Sequence, residues 1–425
     1  MNKKIEKPSL AAGGRGSKLS EEKLVVGLYE SFMSSLESQI DRNEKAAVLL
    51  GGFDSGLVAA GLARLGKDVH TYTFRFDDER YDQNYTDLLQ EHVGSSHHRV
   101  DCSPDMYAIG LEQYGRVFNA PTNWMPYVIF TRLAGQLIRK HGFSHVHSGD
   151  GADVVFWGHP LAFERANIIE NFSKLPAIVL DALAFTMNFP VAERLIGRPW
   201  HVIRTAIDQA QFDESKRGIL PFEVVHPSAI SWLFGEKPGD DLDIQRLTTD
   251  LASSQGSASP GKKAFFSKSV VSPSKIKINA LSSNLNLSMS SPYFSPILRS
   301  AVEIIPENLL RSGSDSATKD IGKYLLAKMA EKYELLPRNF IYQNKMAASD
   351  TPAHYYLKDP VVWKQAMLNM ESLPFSPKSW VVDRTKRLTA AERVFARKFS
   401  KKTNNVMTVD HLSNLLISYG SYYRD

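Results

Sequence analysis

Apolar residues recur every fourth position from Leu24 through Leu28, Phe32 and Leu36 to Ile40, and Ser20 stands where an N-cap belongs. That spacing predicts an amphipathic helix laid against a sheet. A short apolar run, Ala46 to Leu50, then ends in Gly51-Gly52-Phe53-Asp54-Ser55-Gly56. Such a run, bounded by glycine, predicts a central parallel strand covered on both faces. Helical spacing resumes from Gly56 to Gly66, and Val69 to Phe76 reads as a second strand one helix after the first, as in a right-handed βαβ unit. The series continues with a helix ending near Val93, a third strand over Ser96 to Val100, a helix over about Met125 to His141, and a fourth strand over Ser144 to His147. The predicted fold class is α/β, a parallel sheet followed by a large helical C-terminal part.

Beyond the fourth strand the pattern is helical from Leu161 to about Gly235. Its most apolar stretch, Leu175 to Val191, is broken by Asp181 and Asn188 and flanked by prolines, which predicts a buried helix and no membrane span. Glycine, serine and proline crowd residues 236–274, the composition of a mobile loop or lid. The division expected from these patterns is a flexible leader over 1–18, an α/β core over 19–160, a mainly helical part over 161–350, and a basic helical extension over 351–425. The basic run from Arg384 to Lys402 reads as a solvated helix face.

Composition narrows the chemistry. A net charge of +5, from 51 basic and 46 acidic residues, suits an anionic ligand and is too mild to imply nucleic acid. One cysteine, Cys102, excludes a disulfide framework and any cysteine cluster for zinc or iron–sulfur. The first eighteen residues are polar and carry no apolar signal core, so a cytoplasmic location is expected.

The Gly51-Gly52-Phe53-Asp54-Ser55 turn joins a strand to a helix N-terminus, where backbone N–H groups and the helix dipole attract an anion that the glycines allow to come close. Ser55 can donate to a phosphate oxygen, whereas Asp54 would repel one unless a divalent cation lies between them. Magnesium is therefore expected with the nucleotide. Read by itself, the turn is equally a tight strand-to-helix connection capped by Asp54 or Ser55. A second turn, Ser148-Gly149-Asp150-Gly151-Ala152-Asp153, repeats small residues around carboxylates at a strand's end. The paired His97 and His98 point to opposite faces of a strand, which disfavours a shared metal.

In order along the chain these stretches resemble the synthetase domain of the asparagine synthetase family, whose relatives include β-lactam synthetase. Gly51 to Ser55 resembles the family's pyrophosphate loop, Tyr72 to Phe76 its adenine-side strand, and Ser148 to Asp153 its second motif. Pro292-Tyr293-Phe294-Ser295 is similar to the family's Pro-Phe-Leu-Asp, and Lys323-Tyr324-Leu325-Leu326 to the helix carrying its catalytic lysine. The resemblance implies a sheet of the ATP-pyrophosphatase type. It also implies an AMP-forming ligase in which ATP activates a carboxylate as an acyl-adenylate and ammonia or an amine then attacks. By the same resemblance Lys323 and Asp150 carry catalysis. ATP and pyrophosphate contacts fall on Leu49, Gly51, Gly52, Asp54, Ser55, Phe74, Ser148 and Gly149, and Asp54 and Asp153 hold magnesium.

The departures are specific. Leu50 replaces the serine that opens the loop, Val154 a glutamate, Asn279-Ala280 an Asp-Arg pair, Ala327 an arginine, and Ser295 the aspartate of Pro-Phe-Leu-Asp. ATP use is thus implied more directly than aspartate as the substrate, and a specialised pathway is expected. The N-terminal cysteine nucleophile of glutamine-dependent members is absent, and no glutaminase activity is expected. The expected partners are a small-molecule carboxylate with ammonia or an amine, and a separate glutaminase or a carrier protein as further options. Neither a membrane nor nucleic acid is expected. Two other readings stay open: a tRNA-modifying ATP-pyrophosphatase, and a non-catalytic nucleotide-binding relative.

Overall fold

The computed structural model describes residues 20–40, 45–76, 84–114, 125–158, 167–186, 277–278, 280–282, 285–311, 322–342 and 359–371, with isolated residues between them. The expected loop at 236–274 and the basic run at 384–402 lie outside the described residues.

Five strands form one all-parallel sheet in the order β3-β2-β1-β4-β5: β1 Lys45–Leu49, β2 Asp68–Arg75, β3 Ser96–Asp101, β4 His145–Ser148 and β5 Ser288–Ser290. The alternation of β1 explains its central place. Ala46 and Val48 enter one core while Ala47 enters the other, so both faces are buried. The first face is covered by α1 (Glu21–Glu37) and α2 (Phe53–Arg64). There Leu28, Phe32 and Leu36 share a core with Leu57, Val58 and Leu62. As expected, Ser20 caps α1, its side chain accepting from the Lys23 N–H. The remaining helices of the β-rich half are α3 (Asn84–Val93), α4 (Pro104–Glu112) and α5 (Met125–Lys140). Ile138 of α5 closes the second face with Tyr72, Val146 and Leu281.

A short α6 (Ala152–Val155) follows β4. Helix α7 (Ala177–Thr186) corrects the expectation of a buried helix. Leu180 is its one buried residue, and Ile178 is 78% exposed. Apolar composition without a one-sided period does not say which side is covered. β5 was not anticipated, because three residues alternating Ser-Met-Ser are too short and too polar to stand out. After a 3₁₀ turn at Pro292–Phe294 come α8 (Pro296–Glu303), α9 (Glu307–Arg311), α10 (Tyr324–Lys332), α11 (Arg338–Ile341) and α12 (Pro360–Glu371). α8 and α10 both pack on α1, and α12 packs on α4, where the Asn369 side chain donates to the Leu111 carbonyl at 3.0 Å. Among the described residues no helix is long and apolar enough to cross a membrane.

The two histidines of β3 do face opposite ways. His97 lies between the hydroxyls of Thr71 and Thr73 at 2.8 and 3.0 Å, while His98 meets His70 at 3.1 Å and stacks on Tyr72. His147 of β4 is buried beside the Ser290 hydroxyl, and burial, helped by His145, pulls its pKa from 6.5 down to about 3. Between those values the unfolded chain binds a proton that the folded chain refuses, so stability falls as pH drops. Unfolding free energies from urea titrations between about pH 7 and about pH 4 are expected to decline, at up to about 1.4 kcal/mol per pH unit for each such group, and His147→Gln is expected to flatten the decline.

Candidate functional site

Leu49 pairs with Ser148 across β1 and β4, so the two polar turns leave the sheet side by side at its C-terminal edge. This is where ligands enter open α/β sheets. Their contact is close. A Cβ on Gly149 would lie 2.4 Å from the Ser55 nitrogen and 2.8 Å from the Asp54 carbonyl carbon, so only glycine lets the second turn press against the first. α2 begins at the N-cap Gly52, which places Asp54 and Ser55 in its first turn. Neither residue is the cap, contrary to the plain turn reading. The Ser55 hydroxyl accepts from the N–H groups of Gly51 and Gly52 at 2.9 and 3.2 Å. The loop amides expected to face a phosphate are thus held by Ser55. A Cβ at Gly51 or Gly52 would meet no atom within 4 Å, so the space beside both is open.

Three charged side chains converge beneath this loop. The Lys323 ammonium lies 2.5 Å from each Asp54 carboxylate oxygen and 2.7 Å from Asp153 Oδ1. Its side chain keeps only 6% of its surface in solvent. Burial pulls this ammonium down, but Asp153 and Asp54 together outweigh the effect and hold it above its ordinary value. Asp54 comes from α2, Asp153 from α6, and Lys323 from the residue just before α10, where it adopts a left-handed conformation with φ of 63°. Left-handed backbone is uncommon for a lysine and is tolerated where surrounding contacts fix it.

Residues to which the sequence reading gave no role in the site complete the support. The Tyr293 hydroxyl donates to the Asp54 carbonyl at 3.1 Å, and its phenol is held protonated by burial and by the nearby Asp54 and Asp153. Ser291 donates to the Asp150 carbonyl at 2.6 Å, and the Asp150 N–H donates to Ser148 Oγ at 3.3 Å. Lys277 reaches both Asp150 oxygens at 2.9 and 3.0 Å. A Cβ on Gly158 would fall 2.0 Å from Lys323 Cε and 2.4 Å from Asp153 Oδ1. Long-range packing of this kind leaves no local spacing to read. Phe74, on β2, packs near Phe130, with ring centroids 6.2 Å apart.

The departing residues serve packing and capping. Leu50 and Ala327 are both buried in the main core, and Ser295 caps α8 by accepting from the Ile297 N–H at 3.3 Å. Val154 is buried as well. Asn279 lies outside the described residues, and Ala280 is buried. Cys102 is buried too, and burial pushes its thiol up, away from the reactive thiolate.

The asparagine synthase family model matches residues 27–412. The chain belongs to the asparagine synthase family. No curated protein matches it. Membership of the asparagine synthase family brings ATP-dependent, amide-forming ligase chemistry on small-molecule substrates, and the five-stranded parallel sheet agrees with it. Among the described residues no group of three or more His, Cys, Asp and Glu side chains could hold a metal ion by itself. A pair of carboxylates that shares magnesium with nucleotide phosphates is a different donor set, and Asp54 and Asp153 have the chemistry for it.

Two glycine substitutions separate packing from binding here. Gly158→Ala is expected to displace the Lys323 and Asp153 side chains and to lower unfolding free energy by about 1–3 kcal/mol. Gly51→Ala, with open space around its new methyl, is expected to stay within about 0.5 kcal/mol of the parent while weakening ATP binding. Chemical denaturation together with ATP titration calorimetry checks both.

Proposed function

We propose that this protein is an AMP-forming carbon–nitrogen ligase. It activates a small carboxylic acid as an acyl-adenylate and transfers the acyl group to ammonia or an amine in a specialised biosynthetic pathway. The observation that carries this reading is the convergence of Asp54, Asp153 and Lys323 beneath the open Gly51–Gly52 loop.

A carboxylate is a poor electrophile, and its activation requires a leaving group whose developing charge is stabilised. In this reading the loop amides of Gly51 and Gly52 pass from the Ser55 hydroxyl to phosphate oxygens as ATP enters, and Ser55 turns to donate to the same phosphates. Ser148 and Gly149 bound the pyrophosphate side of the cleft, while Leu49 and Phe74 flank the nucleotide. Asp54 and Asp153 would hold magnesium, which supplies positive charge to the phosphates when bound. The fit is supported by the cation those two carboxylates already share, the Lys323 ammonium. Lys323 then places its charge against the α-phosphate, and Asp150 orients the nucleophile.

The site's stability follows from the same charges. Removing one partner from a buried ion pair leaves the other uncompensated, at a cost of about 3–5 kcal/mol. Lys323→Ala is therefore expected to lower stability as well as to cut kcat by about 10²-fold or more. Asp54→Asn and Asp153→Asn are each expected to abolish magnesium-dependent turnover with the far-UV circular dichroism spectrum unchanged. A Lys323→Ala effect confined to KM, or normal turnover in either asparagine variant, would remove these assignments.

The function is tested with ATP, magnesium and a panel of carboxylic acids, with hydroxylamine as the trapping amine. Release of AMP and pyrophosphate, with a hydroxamate formed from one acid class, is the expected outcome. Release of ADP would refute the adenylating mechanism. ATP binding without turnover across the panel would favour a non-catalytic or macromolecule-directed relative.

A further inference from the structure

One tyrosine touches both elements that bring the Lys323 carboxylates. The Tyr293 hydroxyl donates to the Asp54 carbonyl on α2 at 3.1 Å, and its ring meets Phe156 edge to face, with centroids 6.2 Å apart. Phe156 is the residue that ends α6, the helix carrying Asp153. On another side the Tyr293 ring lies 6.0 Å from that of Phe32 on α1, and the residue is fully buried. The segment that carries the tyrosine is itself tied down. Ser35 of α1 and Gln39 just beyond it donate to the Pro292 and Ser291 carbonyls at 2.9 and 3.0 Å, while Ser291 Oγ donates to the Asp150 carbonyl at 2.6 Å. The hydroxyl thus acts from an anchored base.

Packing does not require that hydroxyl. The Pro-Phe-Leu-Asp pattern has a phenylalanine where this chain has Tyr293, so a plain ring suffices to fill the position. Nor does Asp54 need the bond, since its carbonyl lies in the first turn of α2 and is an acceptor within that helix. The contact instead fixes the gap between α2 and α6. The Lys323 ammonium, on a flexible stem, follows its two carboxylates wherever they stand. Magnesium does not, because it demands a near-ideal octahedron with short oxygen contacts, whereas calcium accepts irregular geometry and longer ones.

We propose that Tyr293 is a positioning residue, holding Asp54 at the distance from Asp153 that a magnesium ion shared with ATP requires. Its role in turnover rests on the ligase reaction proposed above, whereas the brace rests on the contacts of Tyr293 alone. Burial, with Asp54 and Asp153 acting in the same direction, keeps the phenol protonated and therefore a donor.

The test is Tyr293→Phe, which keeps the ring and removes one oxygen. Ile305→Val, a mild change at a buried position just past the end of α8, serves as the comparison. Binding of Mn2+ is followed by electron paramagnetic resonance with an ATP analogue whose α–β bridge cannot be cleaved, and competition gives the Mg2+ and Ca2+ dissociation constants. In Tyr293→Phe the Mg2+ constant is expected to rise by about 10-fold and the Ca2+ constant by less than about threefold. In Ile305→Val both are expected to stay within about twofold of wild type. The Mg2+ needed for half-maximal ATP–pyrophosphate exchange is expected to rise with the Mg2+ constant, with KM for the acid unchanged. A Mg2+ constant in Tyr293→Phe like that of wild type would overturn the proposal. So would an equal weakening of both ions, or the same loss in Ile305→Val, since either marks a general loosening of the core. Wild type that binds no metal with the analogue refutes the brace as well. Metal binding as expected, with no exchange in wild type across the acid panel, supports the brace and refutes the adenylating reading.

Discussion

One ammonium group ties the two halves of this chain together. Lys323 precedes a helix packed on α1, yet its charge ends between a carboxylate from α2 and another from α6. A lysine so nearly enclosed is stable only if both acids stay beside it, and the acids stay apart from water only if the lysine does. The αL backbone at Lys323, the missing side chains at Gly149 and Gly158, and the Tyr293 hydroxyl on the Asp54 carbonyl all serve that meeting. Packing precision therefore gathers around charge, and the cores on either face of the sheet hold the scaffold for it.

Much of this could be read from local pattern. The four longer strands and helices α2, α3 and α5 follow from apolar runs and glycine stops, because each strand is buried according to its own alternation and each turn demands small residues, whereas α4 was not anticipated. The carboxylates at the two strand ends were visible for the same reason. What escaped was set at long range. β5 contributes three residues of small and mixed character, and is a strand only because β4 offers it hydrogen-bond partners. α7 showed its apolar content but not its exposure, since exposure depends on what the rest of the chain covers. Lys277 carried no spacing that linked it to Asp150. Nor did the motif foretell that Ser55 would hold the loop amides of Gly51 and Gly52, a local bond that must be exchanged before those amides can serve a phosphate.

The charges at this site neutralise one another to a degree that bears on how a nucleotide could enter it. Asp54 and Asp153 share one ammonium and Asp150 has another. Left bare, three carboxylates at the end of a sheet would repel a polyphosphate. Two lysines reduce that field without filling the open space beside Gly51 and Gly52. A lysine's flexible stem can carry its charge from a carboxylate to a phosphate without moving the backbone, the phosphate replacing the partner that is given up.

The departures from the family pattern fall unevenly, and their distribution is itself an argument. Leu50 and Ala327 are packed into the core and Ser295 is spent on a helix cap, so none of the three projects a polar group toward the cleft. The carboxylates and lysines around the open loop are intact. Leu50 lies in the stretch that resembles the pyrophosphate loop, so the losses are not confined to one substrate; what they spare is the cluster of Asp54, Asp153 and Lys323. A site that hydrogen-bonds its substrate's polar groups strongly rejects analogues lacking them, because its own buried groups would go unpaired. Leucine, alanine and a serine already occupied by the backbone impose no such demand.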